Sequence, residues 1–353
     1  MFSSSTALQE KYGMFDLLAR DDSIAAVGET YTRCKFSPEG DWLAVLESGD
    51  VQVYEDVVGV WTLRQTVFTG TNSYTDFALS SNGDWLVVSD DVTNTVTLYE
   101  RSGTTFSQTD QITPTNGGGV NIYPIGITAD GTRVAFMSCV DNSSFVAAWI
   151  EIHTVSSGTM TLEDTVSGLT YGSTGEQQGT TITDAGDRLC VGPTRVSGEN
   201  NAAVCTRSGS TWTVEQQIEG PTGSARGRTN MSRDGVWLNI DNEVYSRSGT
   251  TWALALTVPL SAPIQGIRGT SWVDVDQLGN TLLITDVAGD DTNVFYVEQG
   301  NTTVLSVDHP AFTGANSTFA INAVWKSQGV LLAVGTRITG DALEITTLET
   351  GEV

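Results

Sequence analysis

From Val96 to Ile112 the chain reads VTLYERSGTTFSQTDQI. Apolar and polar residues alternate, break at a polar turn, and resume. A period of two sets one face of a strand against a core and the other toward solvent. Arg101-Ser102-Gly103 supplies the turn, so the stretch predicts a hairpin. The same pattern returns as VCTRSGSTWTVEQQI from Val204 to Ile218 and VYSRSGTTWALALTV from Val244 to Val258. Weaker copies run from Val53 to Val67 and from Ile150 to Val166.

A second pattern precedes each hairpin: an apolar residue, a turn ending in Gly, then an apolar run. The turns are Ser37-Pro38-Glu39-Gly40, Ser80-Ser81-Asn82-Gly83, Thr128-Ala129-Asp130-Gly131 and Thr183-Asp184-Ala185-Gly186. Ser232-Arg233-Asp234-Gly235, Asp276-Gln277-Leu278-Gly279 and Lys326-Ser327-Gln328-Gly329 follow. Gly tolerates the positive φ that such turns require. Runs such as Trp85-Leu86-Val87-Val88 and Leu331-Leu332-Ala333-Val334 come next. Units of about 45 to 50 residues with two hairpins each are the mark of a β-propeller. The expected fold is therefore all-β: a seven-bladed β-propeller of four-stranded blades. The aromatics opening the fourth strands, Trp61, Phe106, Trp212 and Trp252, are expected to pack between blades.

The last unit lacks a fourth strand, and the N-terminal segment is expected to complete it and close the ring. Phe2 to Leu8 keeps the aromatic-to-apolar spacing; Phe15 to Asp21 leaves a link of ordinary length and is the preferred register. Residues 1–12 then form an N-terminal arm (or the closing strand itself), and 13–353 a single propeller domain.

Charge narrows the partners. With 17 basic and 42 acidic residues the formal charge is −25, and the only lysines are Lys11, Lys35 and Lys326. Such a chain repels a phosphate backbone and an anionic membrane, so neither nucleic-acid binding nor membrane insertion is expected. An acidic, Lys-poor surface suits salt, where self-repulsion is screened. Cys34, Cys139, Cys190 and Cys205 form no CxxC pair and no zinc pattern. Cys190 and Cys205 fall on consecutive strands of one hairpin, where a disulfide or two buried thiols are the alternatives.

The VYxRSGxxWxxxQ hairpin resembles FG-GAP-type propeller repeats, the broad family that includes the integrin α-subunit head. The Ser-x-Asp-Gly turns also look like those of WD-like repeats. The resemblance covers the second half of each unit. It implies the fold and no activity. The Phe-Gly/Gly-Ala-Pro signature and the DxDxDG calcium loop of those repeats are absent. The nearest acidic clusters are Asp90-Asp91, Asp141-Asn142 and DVAGDD, in which Asp286, Asp290 and Asp291 are the calcium candidates. None has the ligand spacing of a calcium loop, and no cofactor is expected.

Catalytic patterns are not found. His153 reads as a structural histidine on a strand, and His309 precedes Pro310 in a connecting loop. No GxSxG, HExxH or phosphate-cradling loop occurs; Gly117 to Gly119 is a link between units. Propeller ligands meet one channel mouth, near the starts of the innermost strands. There the chain places Arg33, Asp76, Gln177, Gln178, Arg226, Arg228 and Asn322. Arg226 and Arg228, with Arg33 and Asp76, are the ligand-binding candidates, for an anionic or sugar ligand.

The expected function is a non-enzymatic structural or interaction propeller that presents loops to protein partners or self-assembles. MFSSSTALQEKYGM has no basic region and no apolar run, so no secretory signal is expected, and no stretch is long enough to span a bilayer. That favours a virion component (capsid, spike or tail) or another extracellular assembly. A carbohydrate-binding or carbohydrate-active propeller, and an intracellular protein-interaction scaffold in the cytoplasm, are the alternatives.

Overall fold

In a computed structural model the protein is built of antiparallel sheets. The structure describes residues 20–25, 31–37, 39–47, 49–70, 75–90, 92–115, 121–139, 146–171, 180–196, 199–219, 229–240, 243–257, 273–275, 281–288, 291–298, 305–313, 322–325, 330–337 and 342–349; beyond residue 257 only backbone is described.

Sheet A holds β2 (Tyr31–Phe36), β3 (Trp42–Glu47), β4 (Asp50–Val57) and β5 (Val60–Phe68), in chain order after β1 (Arg20–Ala25). Sheet B holds β6 (Asp76–Leu79), β7 (Trp85–Asp90), β8 (Thr95–Ser102) and β9 (Thr105–Ile112). Group C comprises β10 (Asn121–Ile127), β11 (Arg133–Cys139), β12 (Val146–Ser156) and β13 (Thr159–Tyr171). Group D comprises β14 (Thr180–Ile182), β15 (Arg188–Val196), β16 (Glu199–Ser208) and β17 (Thr211–Glu219). C and D count as one sheet through a single pair, Tyr171 opposite Thr194. Sheet E holds β18 (Thr229–Met231), β19 (Trp237–Ile240), β20 (Glu243–Ser248) and β21 (Thr251–Thr257). Sheet F holds β22 (Val273–Val275), β23 (Thr281–Ala288), β24 (Asp291–Glu298) and β25 (Leu305–Thr313). Sheet G runs β26 (Asn322–Trp325), β27 (Val330–Arg337) and β28 (Ala342–Glu349), with β1 beside β28.

The strand beside β28 lies further along the chain than either expected register. Arg20 opposes Thr347 and Ala25 opposes Ala342, so the preferred span from Phe15 to Asp21 overlaps it only at Arg20 and Asp21. Backbone pairing with β28 sets this register, and Arg20–Ala25 carries no aromatic for the spacing argument to find. Residues 1–12 lie outside the described residues.

The apolar runs have a geometric cause. Successive side chains of a strand point to opposite faces, and β7 buries both. Leu86 and Val88 pack with Trp42, Leu46 and Val53 of sheet A, whereas Val87 packs with Val134 and Phe136 of C. The core is thus a series of seams between neighbouring sheets. This geometry also rules out the disulfide alternative. Cys205 opposes Leu189 and Cys190 opposes Val204, so the two thiols sit on opposite faces of D. Cys205 packs in the seam with C and Cys190 in the seam with E. Both are free; burial raises both thiol pKa values, that of Cys205 to about 12 with help from Glu215.

The first hairpin turn of A to E is one device repeated. Its opening residue (Ser37, Ser80, Thr128, Thr183 or Ser232) is buried. The side-chain oxygen accepts the N–H five residues on, at 2.9 to 3.2 Å. Its carbonyl accepts the N–H of the turn glycine. That glycine needs φ near +70° and also meets the preceding sheet: a Cβ on Gly131 would stand 2.1 Å from Trp85 Cδ1. Gly103 has a similar φ of +64° with nothing within 4 Å. Gly131→Ala should therefore lower stability by about 3 kcal/mol, from strain plus collision, and Gly103→Ala by about 1 kcal/mol. Urea unfolding midpoints of the two variants would measure the difference.

Candidate functional site

The described residues concentrate their polar chemistry at the joints between sheets, and a backbone irregularity puts it there. In the outer hairpin of A, Val53 opposes Gln65 and Tyr54 opposes Leu63, so Arg64 is an extra residue. The same β-bulge recurs at Thr109, Glu163, Glu215 and Ala255. A bulge breaks strict alternation, and the residue after it reaches the next sheet. Gln65 Nε2 donates to the carbonyl of Phe106 at 3.0 Å, and its Oε1 accepts the Phe106 N–H at 2.8 Å. Gln216 holds Trp252 in the same way, at 3.2 and 2.9 Å. Asp110 and Asp164, which only accept, take the N–H of Met160 (2.7 Å) and Trp212 (2.6 Å). Leu256 stands at this position in β21 and has no group to offer.

At the C/D joint the bulge residue itself is charged. The Glu163 side chain is 5% exposed. Arg133 Nε donates to it at 3.0 Å, Arg207 Nη2 at 2.8 Å and Trp212 Nε1 at 3.2 Å. Burial raises the pKa of this carboxyl; the hydrogen bonds from Arg133, Trp212 and Arg207 and the Arg133 charge outweigh burial and hold it below its ordinary value. Glu215 is the counterpart at D/E. Its Oε2 stands 3.5 Å from Arg188 Nε and 3.4 Å from Trp252 Nε1, and its Oε1 is buried without a hydrogen-bond partner.

In two of the three R-S-G copies the Arg ties together the two turns of its own sheet. Arg101 donates to the carbonyls of Gly83 (2.9 Å), Gly103 (2.7 Å) and Asn82 (3.1 Å), and pairs with Asp84. Its guanidinium lies 4.6 Å over the Trp42 ring of sheet A. Trp42 meets Phe106 edge-on at 5.5 Å. Arg247 repeats the two-turn tie on Gly235 (2.7 Å) and Gly249 (3.0 Å). Trp61, Phe106, Trp212 and Trp252 are all buried.

Of the ligand-binding candidates, Arg33 and Asp76 fall on described strands. Asp76, at the start of β6, is buried and ion-paired with Lys35 of β2, Nζ to Oδ1 2.9 Å. Arg33 stands on β2 opposite Leu46, and Asn322 opens β26 opposite Val334. Arg226, Arg228, Gln177 and Gln178 lie outside the described residues, as do Asp290, Asp91, Asp141, Asn142 and Gly117 to Gly119. Asp286 opposes Asn293 and Asp291 opposes Ala288 across the β23/β24 hairpin. Asp90 accepts the Val92 N–H and the Thr93 hydroxyl, closing its own turn. Among the described residues no three His, Cys, Asp or Glu side chains gather to hold a metal ion. His153 is buried, stacks on Phe136 at 5.4 Å and stands 3.4 Å from Glu151 Oε2. Glu151 in turn accepts the Thr115 N–H. His309 lies within β25, not in a loop; the register shifts between Asn293/Asp308 and Asp291/Thr313, and an irregular outer strand accommodates the following Pro310.

Solved structures of other proteins carry this arrangement. The chain is similar to the β-propeller domain of Myceliophteria thermophila Cps50 (Swd1), at 10% identity and a TM-score of 0.61, over 94% of this chain and 98% of that one. The fold is a β-propeller. Kuenenia stuttgartiensis hydrazine synthase is similar over 91% of this chain and 96% of its own (12% identity, TM-score 0.63). A Lactobacillus plantarum protein is similar over 81% and 86% (13% identity, TM-score 0.59). At these identities the likeness concerns the fold alone. No family model and no curated protein matches the chain.

The blade joints were missed by the motif search, although they left a trace. Arg64-Gln65, Glu163-Asp164 and Glu215-Gln216 are adjacent polar pairs that interrupt an alternating strand. Two outcomes follow. Glu163→Gln should be less stable than the parent at neutral pH by about 2 kcal/mol. Because the folded pKa is depressed, Glu163 stabilises above its unfolded pKa of about 4.3, and that gain disappears as pH falls through the lower folded value. Denaturant midpoints of the two proteins should therefore converge as the pH is lowered below the unfolded pKa and through the folded one. Gln65→Leu strips both bonds from Phe106 and should cost about 2 kcal/mol in the same assay, independent of pH.

Proposed function

We propose that the protein is a non-enzymatic structural or interaction module: a seven-bladed propeller of the FG-GAP-like type, closed by the pairing of β1 with β28, whose outer rim is its docking surface. Its most specific form is a virion component, in the capsid, a spike or a tail. One observation carries the interaction reading. The third residue after the first residue of the outer strand is an exposed aliphatic in four blades: Leu63 (49%), Leu162 (42%), Val214 (37%) and Leu254 (52%). Scattered exposed aliphatics need no explanation, but recurrence at one position of the outer strands of A, C, D and E, with Gln108 in B, makes a belt. Blade A extends it with Val57, Val58 and Val60 at the hairpin tip, and Val58 is 94% exposed.

Two further features support the reading. The described Arg, Glu and Trp side chains of the joints are engaged in holding blades together, which suits a rigid platform. An acidic surface keeps such a platform from associating unselectively. The protein should cosediment from its native source with a large particle at fixed copy number. Leu63→Lys combined with Leu254→Lys should reduce that association at least tenfold and leave the melting temperature within a few degrees, since both side chains are exposed. A free monomer in the native extract would overturn the proposal.

A further inference from the structure

The turns between first and second strands are bonded to one another as well as within themselves. The Glu39 N–H donates to the Ser81 carbonyl at 3.1 Å, and the Ser81 N–H to the Ala129 carbonyl at 2.9 Å. These bonds chain the turns of blades A, B and C. The Asp184 N–H donates to the Arg233 carbonyl at 3.0 Å, which joins D to E. One side chain connects the two groups. Arg233 grips Asp184 with Nε (2.8 and 3.1 Å) and Nη2 (2.7 Å). The same Nη2 donates to Ser81 Oγ at 3.0 Å, across 152 residues of chain.

We propose that Arg233 is an axial latch, joining non-adjacent blades across the turn end of the ring and holding that mouth shut. The inference rests on the ring reading above. Of the described residues at the second turn position, Ser81 and Ala129 are small, Asp184 is the counter-ion, and Arg233 has the length to cross. A guanidinium suits the task because its planar fork serves a carboxylate and a hydroxyl together. Ligand entry is then left to the opposite mouth, where the innermost strands begin.

Hydrogen exchange tests the latch. Arg233→Ala should speed amide exchange in residues 80–84 roughly tenfold, although that turn is remote in sequence. Ser81→Ala, which removes only the receiving hydroxyl, should speed exchange in residues 232–236 and covers the case in which the first variant misfolds. Unchanged exchange at the far turn in folded Ser81→Ala and Arg233→Ala proteins would overturn the latch. A chain carrying Ser81→Cys and Arg233→Cys separates that failure from failure of the ring. A short bis-maleimide should link the two positions if the turns converge. A link together with unchanged exchange would retain the ring and reject the latch; no link would reject both.

Discussion

The structure depends on a one-residue excess in the outer hairpins of A to E. Without the bulge, a strictly alternating edge strand would direct Glu163 and Asp164, or Glu215 and Gln216, to opposite faces. With it, both members of a pair serve the next joint. Blades A to D then each meet their successor through an apolar seam and a polar tie at the outer edge. A sheet with two apolar faces cannot stand alone in water, so blade stability and joint stability are the same quantity.

Turn chemistry supports the joints from within. The buried Ser or Thr that opens the first turn of A to E satisfies a strand N–H that would otherwise be orphaned. Turn glycines allow Trp85 to lie against the next blade. Arg101 couples its blade's two turns and covers Trp42, so a turn, a seam and a cation–π contact are settled by one side chain.

Much of this was legible in the sequence because it is local. Glycine spacing marked the hairpins, and apolar runs marked strands buried on both faces. What stayed hidden depends on facing and on distance. The Cys190/Cys205 alternatives required strand register, since one residue of offset separates the two faces. The partner of β28 is an unremarkable hexapeptide, RDDSIA. Nothing within one repeat announces that Arg233 reaches Ser81. The channel-mouth candidates Arg226 and Arg228 sit in the sequence GPTGSARGR, which has no apolar alternation to place them.

The ties at the outer joints are made by a side chain on one blade and the main chain on the next. Phe106, Met160, Trp212 and Trp252 receive them through the peptide group, whatever their side chains. These main-chain bonds place no demand on the identity of the receiving residue; only the added indole N–H bonds of Trp212 and Trp252 do. A copied repeat inserted into the array would bring a working joint with it, and its sequence could drift afterwards without unfastening its neighbour. Repeats that have diverged as far as these, yet still stack, are what such one-sided recognition permits.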